Sequence, residues 1–95
     1  MISGDTSSDA YKLYQNVPNP FNGTTTIGFY VPVDEKVTIA VYNMLGEYVA
    51  EVTSEIFNAG KHEVTFDANN LRQGTYFVRM STESFTATKN MNIVK

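Results

Sequence analysis

Short segments of alternating apolar and polar residues follow one another from Tyr11 to the end of the chain, with turn residues between them about every 8–12 positions. In the segment Thr24–Val31, for example, Ile27, Phe29 and Val31 share one face, as they would on a strand whose side chains point alternately to opposite sides. No window shows sustained helical periodicity. The pattern predicts an all-β sandwich or barrel.

Seven segments have this character. The predicted strands are Tyr11–Val17, Thr24–Val31, Lys36–Tyr42, Glu47–Glu55, Lys61–Phe66, Thr75–Ser81 and Ser84–Val94. Strands joined by short turns run antiparallel, and the imperfect period of Glu47–Glu55 predicts a β-bulge there. Two packed sheets bury both apolar faces, so the expected fold is a seven-stranded antiparallel immunoglobulin-like β-sandwich.

Proline and glycine mark the turns. Pro18 and Pro20 have no amide hydrogen, so the chain around them is expected to turn or lie at a sheet edge and to cross between sheets. Asn43–Gly46 predicts a hairpin turn with Gly46 at positive φ, and Gly74 has the same freedom before the sixth strand. In the connection Asp67–Gly74, a leucine is expected to close one end of the sandwich beside Tyr76.

Length and composition narrow the class of protein. The 95 residues correspond to one domain, and the first ten, which are small and polar, are predicted to be a flexible linker or a start added for expression, leaving a domain of residues 11–95. A net charge of −3 disfavours a nucleic-acid binder. The chain has no cysteine for disulfides or thiolate catalysis, and no apolar run near the roughly 20 residues that membrane insertion requires.

Side chains with catalytic or metal-binding potential are few and scattered. His62 shares a face with Val64, which favours a partly buried rim residue with one hydrogen bond over a base or a metal ligand. Asp67, Asn69 and Asn70 carry oxygens that Ca²⁺ accepts, but these residue types also favour turns for local reasons. The sequence therefore predicts no catalytic, cofactor or metal site, and a protein that is not an enzyme.

Two features leave alternatives open. Tyr30, Tyr42 and Tyr48 are candidates for an exposed platform that binds sugars, or for ordinary cross-strand neighbours on a sheet face. Lys89 shares its period with the apolar residues of the last strand, so that it marks a bulge, a lysine whose charged end reaches solvent, or one partner of an intramolecular amide cross-link to an Asn or Asp side chain.

Five sequence motifs resemble those of a known protein family. In chain order they are YQNVPNPFN (14–22), VYNMLGE (41–47), AGKH (59–62), LRQGTY (71–76) and a basic-ended last strand from Lys89 to Lys95. Their order and spacing resemble the type A C-terminal sorting domain of proteins exported by the bacterial type IX (Por) secretion system. The resemblance covers Tyr11 to Lys95.

This resemblance implies a function without catalysis. A domain of this family directs a larger cargo protein, its parent, through the type IX outer-membrane translocon, after which a sortase-like peptidase commonly removes the domain. The implied partners are translocon components, that peptidase and the parent cargo domain, and the implied location is secreted or at the cell surface, reached through the periplasm and outer membrane. The alternative is a generic immunoglobulin-like structural, adhesion or carbohydrate-binding module of a secreted enzyme.

The resemblance also assigns candidate recognition residues, at the positions that match the family's motifs. They are Pro18, Asn19, Pro20, Phe21, Gly46, Gly74, Tyr76, Lys89 and Lys95. Self-association remains open on physical grounds, because a sandwich has open edges and the first or last strand can pair with a second copy in a homodimer.

Overall fold

The computed structural model describes residues 10–95, so the linker prediction for residues 1–10 lies, apart from Ala10, outside the described residues. Seven strands form: β1 Lys12–Leu13, β2 Thr24–Val31, β3 Glu35–Tyr42, β4 Tyr48–Phe57, β5 Gly60–Asp67, β6 Gly74–Ser81 and β7 Thr86–Ile93. Within residues 10–95 there is no helix of the length and apolar character that crossing a bilayer takes.

The strands form two antiparallel sheets. One has the order β1-β2-β5 and the other the order β4-β3-β6-β7. Three pairs of consecutive strands are hydrogen-bonded, whereas β2 pairs with β5 and β3 pairs with β6 across intervening elements. The chain therefore alternates between the sheets, and the architecture is the immunoglobulin-like sandwich that the sequence predicted.

The core lies between the two sheets and is built from the predicted apolar faces. Ile27, Phe29 and Val31 of β2 are at most 1% exposed, and the apolar residues of β3 at positions 37, 39 and 41 are fully buried opposite them. Because every second side chain of a strand points inward, the period-2 pattern of the sequence correctly identified the buried set. The prediction of a bulge in β4 is also confirmed: the β3–β4 register shifts twice, leaving Val49 and Val52 as extra residues that pack against the core.

The first strand is shorter than predicted. Instead of Tyr11–Val17, regular pairing with β2 covers only Lys12–Leu13. Beyond it, the Tyr14 amide donates to the Gly28 carbonyl at 2.9 Å, and a single bridge pairs Val17 with Thr26. The segment contains one residue more than β2 between these pairings, because Asn16 turns inward and is 2% exposed. Its amide nitrogen donates to the carbonyl oxygen of Pro18 at 3.1 Å, a contact that a straight strand would not allow.

Lys89 does not mark a bulge, and this alternative is wrong. The β6–β7 register is continuous, with Lys89 opposite Val78. By strand alternation, Lys89 is on the same face of β7 as half-buried Ala87 and buried Met91. Its side chain is nevertheless exposed, because β7 is an edge strand. The alternative of a lysine whose charged end reaches solvent describes the position.

Tyr76 closes the turn into β6. Its hydroxyl donates to the carbonyl oxygen of Arg72 at 2.9 Å, four residues upstream. The residue two positions after it, Val78, is 1% exposed. This is the geometry of the tyrosine corner of immunoglobulin-like sandwiches. Leu71 and Tyr76 both pack against the core cluster, as the sequence predicted for that end of the sandwich.

The register places distant parts of the chain at the same end of the molecule. Tyr42, the last residue of β3, pairs with Phe77 near the start of β6, and Phe77 pairs with Asn90 in the second half of β7. The β3–β4 turn, the β5–β6 connection and the end of β7 are therefore neighbours, at what we call the lower end. Tyr11 lies at the opposite, upper end, where its hydroxyl donates to Glu35 and its ring stacks on Phe85.

Candidate functional site

The end of β7 is enclosed on both sides by other parts of the chain. On one side it pairs with the start of β6, where Gly74 faces Ile93 and Thr75 faces Asn92. The Thr75 hydroxyl also donates to the side-chain oxygen of Asn92 at 2.8 Å. The other side of β7 would be a free sheet edge if no further segment covered it.

That edge is covered by residues 15–21, which we call the clasp. Phe21 forms a parallel bridge with Ile93: its amide donates to the carbonyl of Asn92 at 3.0 Å, and its carbonyl accepts from the amide of Val94 at 2.9 Å. The side-chain oxygen of Asn19 accepts from the backbone amide of Asn92 at 2.8 Å. Gln15 donates from its side chain to the carbonyl of Asn90 at 2.5 Å. Four edge-directed backbone groups of β7 are thereby satisfied.

The sequence of the clasp explains its shape. Pro18 and Pro20 cannot donate a backbone hydrogen bond, so neither can extend a regular strand there. The peptide bonds that precede both prolines are cis. The carbonyl of Pro18 accepts instead from buried Asn16 at 3.1 Å and from the hydroxyl of Thr25 at 2.8 Å. The Asn16 side chain also donates to the Thr25 hydroxyl at 3.1 Å. The two bonds that involve Thr25 hold the clasp to β2 of one sheet while Asn19 and Phe21 reach β7 of the other.

Phe21 anchors the clasp in the core. Its side chain is 2% exposed, as is that of Ile93, which it bridges. Burying a phenylalanine ring contributes about 1.5–3 kcal/mol relative to leaving it exposed. The clasp is therefore fixed by packing as well as by hydrogen bonds, whereas Pro18 and Pro20 remain exposed on its outer surface.

Most of the recognition residues assigned from the sequence meet at this end. The clasp holds Pro18, Asn19, Pro20 and Phe21 against one side of β7, and Gly74 and Tyr76 pair with its other side. Lys95 follows directly, with its Nζ 3.3 Å from the carbonyl oxygen of Asn69.

Two of the assigned residues stand apart. Gly46 lies in the β3–β4 turn with a φ of +84°, at the same end of the sandwich but on a different pair of strands. Lys89 lies in the middle of β7.

Gln15 and Asn92 belong to the site, yet sequence reasoning did not select them. Gln15 is exposed and Asn92 half-buried, so neither stands out as an apolar core position. A signal was present in the cluster of amide side chains next to two prolines, because carboxamides can replace the backbone partners that proline removes. Their shared contact with β7 requires knowledge of the tertiary arrangement.

His62 is a rim residue with one hydrogen bond, as predicted. Its Nε2 lies 2.6 Å from the carbonyl oxygen of Asn58, so that nitrogen carries the proton and donates. The ring is packed between Phe29 and Phe57, at centroid distances of 5.6 and 5.0 Å. These contacts account for its position at the edge of the core.

The Asp67 loop has the local turn geometry that was the alternative to a calcium site. The Asp67 carboxylate accepts from the amide of Asn69 at 2.9 Å. The carbonyl of Asn69 faces the ammonium group of Lys95. Among residues 10–95 no group of three His, Cys, Asp or Glu side chains is placed to hold a metal ion.

The three tyrosines do not form one platform. Tyr42 and Tyr48 are a cross-strand pair in edge-to-face contact, with ring centroids 6.0 Å apart, on the four-stranded sheet. Tyr30 lies on β2 in the other sheet. The interpretation as cross-strand neighbours therefore describes the pair Tyr42–Tyr48, and a shared sugar-binding platform is not present.

Burial and a carboxylate partner shift the pKa of one group in the upper end. The Tyr11 hydroxyl donates to the Glu35 carboxylate, and this bond, together with burial of the ring, raises the pKa of Tyr11 above its ordinary value of 10.0. The clasp and the end of β7 act through backbone and carboxamide hydrogen bonds. Such an arrangement provides shape and pairing specificity rather than acid–base chemistry.

Comparisons with known proteins found one family model and similar solved structures. The family model for the secretion system C-terminal sorting domain matches residues 15–95, from the first residue of the clasp onward. Among solved structures, the Ig1 domain of mouse SynCAM 2 is similar at 8% sequence identity, with a TM-score of 0.44, covering 83% of this chain and 92% of that chain. No curated protein matches the sequence.

The family model spans most of the chain and includes all nine candidate recognition residues. The resemblance to this family, drawn from the five sequence motifs, is thereby confirmed. The chain belongs to the secretion system C-terminal sorting domain family, whose members are sorting signals for the type IX export of the proteins that carry them.

Proposed function

We propose that the lower end of the sandwich, formed by the clasp and the end of β7, is the surface that the type IX translocon recognises. The observation that carries this proposal is the hydrogen bonding of Asn19 and Phe21 to Asn92. These bonds join the first and the last of the five family motifs into one surface. Sequence motifs that are far apart along the chain but adjacent in space are typical of a composite recognition surface. Recognition here requires no reactive group, in keeping with a sorting domain that is typically non-catalytic.

The upper end of the domain is where the cargo joins. A sorting domain is part of a cargo protein, and we place the boundary before Tyr11. The ring of Tyr11 is 4% exposed and stacks on Phe85 at 4.9 Å, so Tyr11 is tied to the upper end. Cargo attached there leaves the clasp uncovered.

After export, the family resemblance supports removal of the domain by a sortase-like peptidase. We propose that cleavage falls before Tyr11, because a cut there releases the cargo from the whole packed domain, residues 11–95, in one step. The route through periplasm and outer membrane, with release or surface attachment of the cargo, follows from the same resemblance. The coarser conclusion, a secreted or outer-membrane-associated protein, follows from the family itself.

A reporter assay tests the proposed surface. Residues 11–95 are fused behind a reporter with a periplasmic export signal, in a bacterium that has a type IX system, and the reporter in the medium or at the surface is measured. The fusion is expected to leave the cell, and retention of the reporter in the periplasm would contradict the proposal.

Variants of the clasp locate the signal. Deleting Asn90–Lys95 is expected to abolish export, but this deletion also removes half of β7 and unfolds the domain. Val17→Ser, at a clasp position that is 68% exposed, and Lys95→Gln change exposed side chains, so they leave the core intact. We expect the pair of substitutions to lower export severalfold at a nearly unchanged melting temperature. Wild-type export by this double variant would place the recognised surface elsewhere.

A further inference from the structure

The β3–β4 turn presents two large apolar side chains to solvent. Leu45 is 84% exposed and Met44 is 68% exposed. Leaving such side chains in water forgoes the favourable free energy that burial of apolar surface provides. A single exposed apolar residue is ordinary, but two adjacent ones at the tip of a turn form a small apolar knob, which we call the tip.

Closure of the turn does not depend on these two side chains. The side-chain oxygen of Asn43 accepts from the amides of Leu45 at 2.9 Å and Glu47 at 3.0 Å. The amide of Gly46 donates to the carbonyl of Asn43 at 3.0 Å, and Gly46 adopts a φ of +84°. Polar residues at positions 44 and 45 would close the turn equally well. The turn therefore holds the tip rigidly while its apolar character needs another explanation.

The tip continues into an exposed aromatic surface. Tyr48 is 59% exposed and packs edge-to-face on Tyr42 in the next strand, at a centroid distance of 6.0 Å. Because hydrogen bonds to Asn43 already fix the backbone of the turn, burial by a partner would have to order only the side chains of this cluster. The cluster lies at the lower end, the same end as the clasp.

Charge and shape favour one kind of occupant. The Glu47 carboxylate accepts from the Asn43 side chain at 2.8 Å and stands beside the tip. Two convex tips from two copies cannot enclose each other, and their carboxylates would meet. An anionic lipid surface is disfavoured by the same carboxylate. A concave protein surface with basic groups on its rim satisfies both shape and charge.

We propose that the tip, Met44 and Leu45 with Tyr48 behind them, is an anchor that inserts into an apolar, basic-rimmed socket on a protein of the secretion machinery. The inference rests on the proposed function, because it assigns a second contact to the same recognition event. In interfaces of this kind a few buried apolar or aromatic anchors provide most of the binding free energy.

The test compares the tip with exposed apolar residues elsewhere. Met44→Ser/Leu45→Ser is measured in the reporter assay beside Val33→Ser/Ile56→Ser, whose parent side chains are 53% and 75% exposed and lie away from the tip. Thermal melts of the isolated domain are expected to agree within about 2 °C, since exposed side chains contribute little to stability. Export is expected to fall at least tenfold for the tip variant alone.

The outcomes separate this inference from the proposed function. If the unmodified domain does not export the reporter, the proposed function fails. If it does, and the tip variant exports equally well, the anchor is wrong while the function stands. An equal loss in both variants would also contradict the anchor, because it would reflect general surface hydrophobicity.

Two further measurements address other occupants of the tip. Flotation with vesicles of phosphatidylethanolamine and phosphatidylglycerol is expected to show no binding, and binding that disappears in the tip variant would replace the socket by a lipid surface. Glu47→Gln keeps an acceptor for Asn43 and removes the charge. We expect it to lower export severalfold, and unchanged export would contradict the basic rim.

Discussion

The side-chain oxygen of Asn19 accepts a hydrogen bond from the backbone amide of Asn92, 73 residues further along the chain, at 2.8 Å. Through this bond Asn19, a residue of the proline-rich motif, occupies the place beside β7 that a neighbouring strand would otherwise take. Phe21 continues the same contact with backbone hydrogen bonds. The end of the last strand, from Asn90 onward, is thus held from both sides before any partner arrives.

Replacing Asn19 tests the strength of this contact. Asn19→Ala removes the acceptor and leaves a half-buried amide without a partner, which is expected to lower the free energy of unfolding by about 1 kcal/mol. Asn19→Asp keeps an acceptor oxygen and is expected to retain most of the stability. Urea denaturation and amide hydrogen exchange at Asn92 check both, with faster exchange in the alanine variant. Equal protection of Asn92 in all three proteins would contradict the assignment.

The tyrosine corner predicts a specific loss of stability. Tyr76→Phe removes the hydroxyl that donates to Arg72 at 2.9 Å while keeping the packed ring. We expect a loss of about 1 kcal/mol and, for a domain of this size, a melting temperature lower by about 4–8 °C. Tyr48→Phe, at a position 59% exposed, is the matched control and is expected to change little. Similar shifts in the two variants would show that the Arg72 contact contributes nothing particular.

Stability at alkaline pH depends on Tyr11. Its pKa is raised above 10.0, first by the hydrogen bond to Glu35 and then by burial, so the folded protein keeps the proton at pH values where the unfolded chain loses it. The contribution of Tyr11 is fully present below pH 10 and is lost as the pH rises through the folded-state pKa. Denaturant titrations from pH 8 to 11 are expected to show a steeper decline for the wild type than for Tyr11→Phe. Parallel curves would contradict the linkage.

Gly46 is predicted to be sensitive to substitution because of its backbone angle. A φ of +84° is unfavourable for residues with a Cβ atom, although no atom lies within 4 Å of where that Cβ would stand. Gly46→Ala is expected to lose about 1 kcal/mol, and Gly46→Asn less, since asparagine tolerates this region. Thermal unfolding provides the comparison. A stabilising effect of alanine would show that the turn adopts another conformation.

Lys89 is predicted to prevent self-pairing of the β7 edge. It occupies a core-facing phase on an edge strand, where a charge makes pairing with a second copy unfavourable. Lys89→Val is expected to increase dimer formation in light scattering at several concentrations. Lys36→Val, an equally exposed lysine on the inner strand β3, is the control and should remain unchanged. Monomers throughout would contradict a role of Lys89 in protecting the edge.

The sequence by itself determined the features that depend on neighbouring residues. Alternation located the strands and the buried face of Ile27, Phe29 and Val31, because side-chain direction repeats every two residues along any strand. Asn43 and Gly46 specified their turn because carboxamide hydrogen bonding and positive φ are local properties. Sequence motifs identified the family for the same reason. They are short, and they can be recognised without knowing which residues they contact in the folded protein.

The tertiary structure alone decided which distant segments meet. The pairing of β2 with β5, the short β1 and the bond between Asn19 and Asn92 result from packing two sheets around one core, and polar residues such as Gln15 carry no periodic signal of their partners. The same holds for Lys89, whose phase is that of a core residue and whose exposure follows from its place at a sheet edge. Local periodicity fixes which way a side chain points, but only the assembled sheets fix what it meets there.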